Sequence, residues 1–136
     1  MRTTLNIESI QQINLFSKVT GVRAKNCFNY SNSIFFVVEP FLVNRAIGIN
    51  GENVKRLSLM LKKKVRIISP PESLENFIQN IVYPVKFKKL SEENGLLTIT
   101  AGQQSKAALI GRDHARVNEL TDIIKQYFEI REIRIV

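Results

Sequence analysis

The hydrophobic pattern of this chain reads twice, and each pass predicts the same six elements. From Asn6 to Lys18, Ile7, Ile10, Ile13, Leu15 and Phe16 fall mainly at helical spacing, and Thr20-Gly21 supplies a stop. Val22 to Tyr30 reads as a strand. Asn29, Ser31, Asn32 and Ser33 mark a turn, and Ile34 to Val38 is a short, strongly apolar strand closed by Glu39-Pro40. A short helix over Leu42 to Ile47, a glycine-bearing loop and a longer helix from Asn53 to Lys62 lead to a return strand over Lys64 to Ser69.

Pro70-Pro71-Glu72-Ser73 forms a joint, after which the order repeats. Leu74 to Ile81 is helical, with Leu74, Phe77, Ile78 and Ile81 on one face. Val85 to Leu90 is a strand and Glu92-Glu93-Asn94-Gly95 a hairpin turn, where Asn-Gly tolerates the positive φ angles such turns need. Leu96 to Ala101 is a strand, Lys106 to Ile110 a short helix, Ala115 to Phe128 a longer one, and Glu132 to Val136 the last strand. A constant offset of 63 pairs Val22 with Val85, Phe28 with Ser91, Ile47 with Ile110, Gly48 with Gly111, Val54 with Val117, Leu57 with Leu120 and Leu61 with Ile124. The pattern therefore predicts an α+β fold of two tandem modules, 1–70 and 71–136, each α-β-β-α-α-β.

Charge changes the picture by giving the two halves different characters. Residues 1–70 hold 11 basic and 3 acidic side chains, whereas residues 71–136 hold 9 of each. The whole net charge of +8 thus lies in the first half. It favours a polyanionic partner, nucleic acid ahead of an anionic membrane. No uninterrupted 18-residue apolar run predicts a membrane helix, and Met1-Arg2-Thr3-Thr4 lacks the pattern of a signal peptide. The expected location is cytoplasmic.

The candidate chemistry gathers at Gly48-Ile49-Asn50-Gly51. Glycine permits a tight turn and close approach of another backbone, and the helix that follows presents N–H groups and a positive dipole end. That is a good phosphate site, although a plain helix-turn-helix corner uses the same residue types. Arg45 precedes the loop, Lys55 and Arg56 follow it, and Lys62-Lys63-Lys64 and Arg66 lie beyond. Together these cations suggest a groove wall for a phosphodiester track. The second corner reads Gly111-Arg112-Asp113-His114, with Arg116 after it. Here histidine replaces the closing glycine and Asp113 opposes a phosphate, so a weaker contact is expected.

Catalytic chemistry is thinly represented. One cysteine and one histidine exclude a multi-ligand Cys/His zinc site within the chain, and no Walker loop or dinucleotide fingerprint occurs. No enzyme activity, metal, cofactor or small-molecule substrate is expected. Strand alternation from Val22 groups Cys27 with Arg23 and Lys25 on the polar side, so a bulge or edge position is needed to turn it inward.

With those residues in view, the chain resembles the archaeal NusA-like transcription factors. The echoes are Ile10-Gln11-Gln12-Ile13-Asn14-Leu15-Phe16 with Thr20-Gly21, Asn26-Cys27, and Ala46-Ile47-Gly48 with Gly51-Glu52-Asn53-Val54-Lys55-Arg56-Leu57. Ser69-Pro70-Pro71-Glu72-Ser73 leading to Phe77-Ile78-Gln79-Asn80 is another. The resemblance implies tandem type II KH modules with helices on one face of a three-stranded sheet. It implies single-stranded RNA binding in transcription elongation, termination or antitermination, with RNA polymerase as a further partner. Carried over, Gly48, Ile49, Asn50 and Gly51 hold the RNA backbone, and Ile47 and Val54 either line a base groove or belong to the core. The competing expectation is a protein-binding scaffold, or an accessory factor in ribosome assembly or RNA processing.

Overall fold

The computed structural model describes residues 6–136; Met1-Arg2-Thr3-Thr4 lies outside them. The chain divides between Pro70 and Pro71 into two compact α+β units. The first runs α1 (Ile7–Thr20), β1 (Asn26–Tyr30), β2 (Ser33–Val37), α2 (Val43–Ile47), α3 (Glu52–Leu61) and β3 (Lys64–Ile68). The second runs α4 (Leu74–Val82), β4 (Lys89–Glu93), β5 (Leu96–Thr100), α5 (Gln103–Ile110), α6 (Ala115–Lys125) and β6 (Glu132–Ile135). Each sheet has its middle strand antiparallel to the strand before it and parallel to the last.

Local chemistry sets the ends of α1. The Asn6 side chain accepts from the Ser9 amide at 2.8 Å, satisfying one first-turn N–H. At the other end Gly21 adopts φ 72°, a left-handed cap. Thr20 is buried yet satisfied: its hydroxyl donates to the Phe16 carbonyl at 2.8 Å and accepts from the Val22 amide at 3.0 Å.

In the first unit, the helices cover one face of the sheet. Ile13, Phe16, Ala46 and Leu57 from the helices pack on Cys27, Ile34, Phe36 and Val65 from the strands. Phe16 stacks on Phe36 with centroids 4.4 Å apart. Strand alternation sends the intervening residues to the other face, where Phe28 stacks on Phe35 at 5.2 Å. The Arg66 guanidinium lies 4.8 Å from the Phe35 centroid on that same face. Arg66 therefore points away from the helices and does not extend a groove wall with the loop cations. In the second unit β5 alternates cleanly, with Leu97 and Ile99 buried, and Phe77, Ile78, Leu109 and Leu120 are buried on its helices.

Two strands begin later than the hydrophobic pattern suggests. β1 starts at Asn26, because the two-residue turn Ser31-Asn32 pairs Tyr30 with Ser33 and leaves Asn26 opposite Val37 at the end of β2. Likewise Asn94-Gly95 alone makes the second turn, so Glu93 pairs with Leu96 and Glu92 belongs to the strand. β4 consequently occupies Lys89–Glu93 rather than Val85 to Leu90.

The late start also resolves Cys27. It lies inside β1 opposite Phe36, only 4% exposed, and its parity no longer follows Arg23 and Lys25. Its thiol sits 3.1 Å from the Gln12 amide oxygen, to which it donates. Burial, with the Glu8 carboxylate adding to it, pushes the thiol from its ordinary 9.0 up to about 12. The unfolded chain therefore loses this proton first, so the thiol's contribution to stability is whole below pH 9.0 and is lost as pH rises toward 12. Cys27→Ala will flatten the fall of the thermal midpoint across that window. An unchanged slope in the variant would exclude the thiol as its source.

Candidate nucleic-acid interface

The two glycine corners adopt nearly the same backbone. Gly48 has φ 82°, ψ 169°, Asn50 φ 54°, ψ 28°, and Gly51 φ 71°, ψ 22°. At the second corner Gly111 has φ 75°, ψ 170°, Asp113 φ 54°, ψ 32°, and His114 φ 63°, ψ 19°. Matching hydrogen bonds close both: the Gly51 amide donates to the Gly48 carbonyl at 3.1 Å, and the His114 amide to the Gly111 carbonyl at 3.2 Å. The departure from glycine at His114 thus leaves the turn intact and changes only its side chains.

The glycines of one corner are not equivalent. A Cβ on Gly48 would come within 3.2 Å of the Asn53 backbone nitrogen and 2.9 Å of its side-chain nitrogen. A Cβ on Gly51 would meet nothing within 4 Å. At Gly111 the approach is tighter, with the Arg116 backbone nitrogen at 2.9 Å and its Cγ at 2.6 Å. The first glycine of each corner thus lets the helix that leaves it pack closely against it, while Gly51, the closing glycine of the first corner, faces open space. Asn53, absent from the sequence-based candidates, joins the corner by donating from its side chain to the Arg45 carbonyl at 3.5 Å. Its type alone could have suggested a polar clasp near a helix end.

The helices leaving the corners differ from those that open each unit. α1 and α4 are capped by the side chains of Asn6 and Ser73, whereas α3 and α6 have no side-chain cap. Their first-turn N–H groups, with the dipole behind them, are oriented to receive an anion. Around the first corner Arg45, Lys55 and Arg56 are exposed, as are Ile49 (82%) and Asn50. Arg56 is held only loosely by Glu52, at 3.6 Å with both side chains more than half exposed. Val54 packs on the first core, which places it on the core side of α3.

The second corner is less open to a phosphate. Arg112 is exposed, but so is Asp113 beside it. Arg116 pairs with Glu119 at 2.7 Å and its side chain is only 28% exposed. Gly48, Ile49, Asn50, Gly51, Arg45, Lys55 and Arg56 thus gather in the first unit, and Gly111, Arg112 and Arg116 in the second. No three His, Cys, Asp or Glu side chains gather as a metal-binding group among the described residues. No helix among them is long and apolar enough to cross a membrane.

Known proteins agree with this architecture. No protein-family model matches the chain. The probable transcription termination protein NusA of Methanococcus vannielii is 30% identical over 140 residues, covering 100% of this chain and 81% of that protein. The protein of the same description from Halococcus morrhuae is 25% identical and covers 99% of both chains. That of Methanocaldococcus jannaschii is 27% identical over 99% of this chain and 76% of its own. The crystal structure of APE1850 superposes with a TM-score of 0.65 at 26% identity, over 97% of this chain and 100% of that one. Two KH-like α+β units, consecutive in the chain and matched along its whole length by such relatives, mean that this chain belongs to the archaeal NusA-like family.

Proposed function

We propose that this chain binds single-stranded RNA in transcription elongation, termination or antitermination, through two tandem type II KH modules spanning residues 1–70 and 71–136. The observation that carries the reading is the glycine corner, built twice with one backbone conformation and each time leading into a helix without a side-chain cap. A tight turn, uncapped amides and flanking cations together suit a sugar-phosphate backbone. In this reading Gly48, Ile49, Asn50 and Gly51 hold the backbone, while Arg45, Lys55 and Arg56 neutralise phosphates. Gly111, Arg112 and Arg116 form a subsidiary contact. The transcriptional setting comes from relatives described as probable transcription termination proteins, and RNA polymerase is the protein partner it suggests. The reading places the chain in the cytoplasm, as a binding protein rather than an enzyme.

Gly51→Asp tests the loop. The added side chain has open space and the left-handed conformation is one that Asp113 already tolerates at the neighbouring position of the other corner. The fold will survive, as circular dichroism will confirm. Filter binding to a short random single-stranded RNA pool will show affinity falling about tenfold, because a carboxylate replaces an approachable backbone. Undiminished affinity in the folded variant would remove the loop from the interface.

A further inference from the structure

The outer face of α3 carries more than the loop needs. Its inner side, with Val54, Leu57 and Leu61, belongs to the first core. The opposite side presents Lys55 and Arg56, then Leu59 and Met60, which are 79% and 52% exposed. Lys62 and Lys63 follow immediately at the helix end. Leu59 lies about 12 Å beyond Gly51 along the helix axis, clear of the corner. A single exposed leucine needs no explanation, but two adjacent apolar side chains bracketed by cations form a small mixed patch.

The second unit provides an internal contrast. At the same offset, α6 places Asp122 and Ile123 where α3 has Leu59 and Met60. Asp122 is exposed and Ile123 is 2% exposed, so this helix presents no apolar side chain at that place. The registers also show that β3 and β6 do not share the repeat offset: Ser33 faces Lys64, whereas Leu96 faces Glu132. The second unit thus carries extra chain after α6, including the buried Ile130 and Tyr127 and Phe128, whose rings pack on Phe77. The first unit turns from Leu61 to Lys64 directly and has no such apolar segment.

We propose that the outer face of α3 docks an acidic polypeptide segment with apolar side chains, contributed by a protein partner. Carboxylates of the segment would meet Lys55, Arg56, Lys62 and Lys63, and its apolar groups would cover Leu59 and Met60. Charge complementarity selects the acidic character, and the two exposed apolar side chains select a polypeptide over a phosphodiester chain. Two such side chains are too few to anchor a helix in a lipid surface.

The test uses the full chain and a fluorescent synthetic peptide rich in glutamate, with leucine and phenylalanine at helical spacing. Its control replaces leucine and phenylalanine by serine. The apolar peptide will bind at least tenfold more tightly than the control. Leu59→Ser/Met60→Ser will remove that difference while leaving RNA affinity unchanged, and Gly51→Asp will leave peptide binding unchanged. Equal binding of both peptides would overturn the proposal. So would loss of RNA affinity in the Leu59/Met60 variant, which would assign the face to RNA. Loss in that variant of binding to phosphatidylglycerol vesicles, or of self-association in sedimentation, would assign the face to a membrane or a second copy and overturn it equally. Failure of the peptide arm with RNA binding intact leaves the RNA reading standing.

Discussion

Gly48→Ala will destabilise the first unit by about 2–5 kcal/mol, whereas Gly51→Ala will cost about 1 kcal/mol. The two residues look alike in sequence but hold different positions. Gly48 combines φ 82° with ψ 169°, a region that only glycine enters readily. A methyl there also presses on Asn53. The Asn53 side chain can swing aside, but only by giving up its bond to the Arg45 carbonyl, and its backbone nitrogen at 3.2 Å cannot move without shifting α3. Gly51 needs only a left-handed conformation, which His114 adopts at the matching place. Gly111→Ala will exceed Gly48→Ala in cost, since the Arg116 backbone is closer still. Denaturant unfolding of the single variants measures all three. Equal losses at Gly48 and Gly51 would show that the approach of Asn53 does not set the constraint.

That asymmetry bears on the use of glycine loops as functional markers. A change at Gly48 that abolishes RNA binding would report unfolding as readily as a lost contact. Gly51 separates the two, because space and conformation both permit a side chain there.

The repeat was legible in the sequence because buried apolar positions recur at one offset through β2 and through α3, as the pairs Ile34–Leu97, Phe36–Ile99 and Leu57–Leu120 illustrate, whereas β1 is mostly buried and β4 is not. The offset breaks at β3, where chain added after α6 shifts the match. Strand starts were less legible. Val22 and Ala24 are buried and alternate with exposed residues, as a strand would, yet the ladder does not reach them. Turn length decides pairing, and apolar alternation continues beyond it. At the site, residue type located both corners but could not say which glycine is packed against and which is open. Nor could it show that Arg66 turns to the Phe35 face, or that Arg116 is held by Glu119. Those facts arise from strand parity and from which helix approaches which loop.

Removing Lys55 and Arg56 together will weaken RNA binding about 25-fold at 0.1 M salt, against about fivefold or less for Arg112 and Arg116 together. Each phosphate neutralised on a single strand contributes about 0.7 to the slope of log affinity against log salt. Two lost contacts lower that slope by about 1.4, which corresponds to about 25-fold at 0.1 M. Lys55 and Arg56 are exposed, and the Glu52–Arg56 pair at 3.6 Å is too loose and solvated to contribute much stability. The Lys55→Ala/Arg56→Ala variant will therefore remain folded while its affinity falls. Arg116 begins from a different state. Its bond to Glu119 at 2.7 Å must be given up before it can serve a phosphate, and Asp113 repels that phosphate nearby. At most Arg112 contributes a full contact, a slope change of about 0.7. Salt titrations of both double variants against the same RNA separate these cases. Equal slopes would mean that the second corner clamps RNA as strongly as the first, and that the neutral charge balance of residues 71–136 does not govern its use.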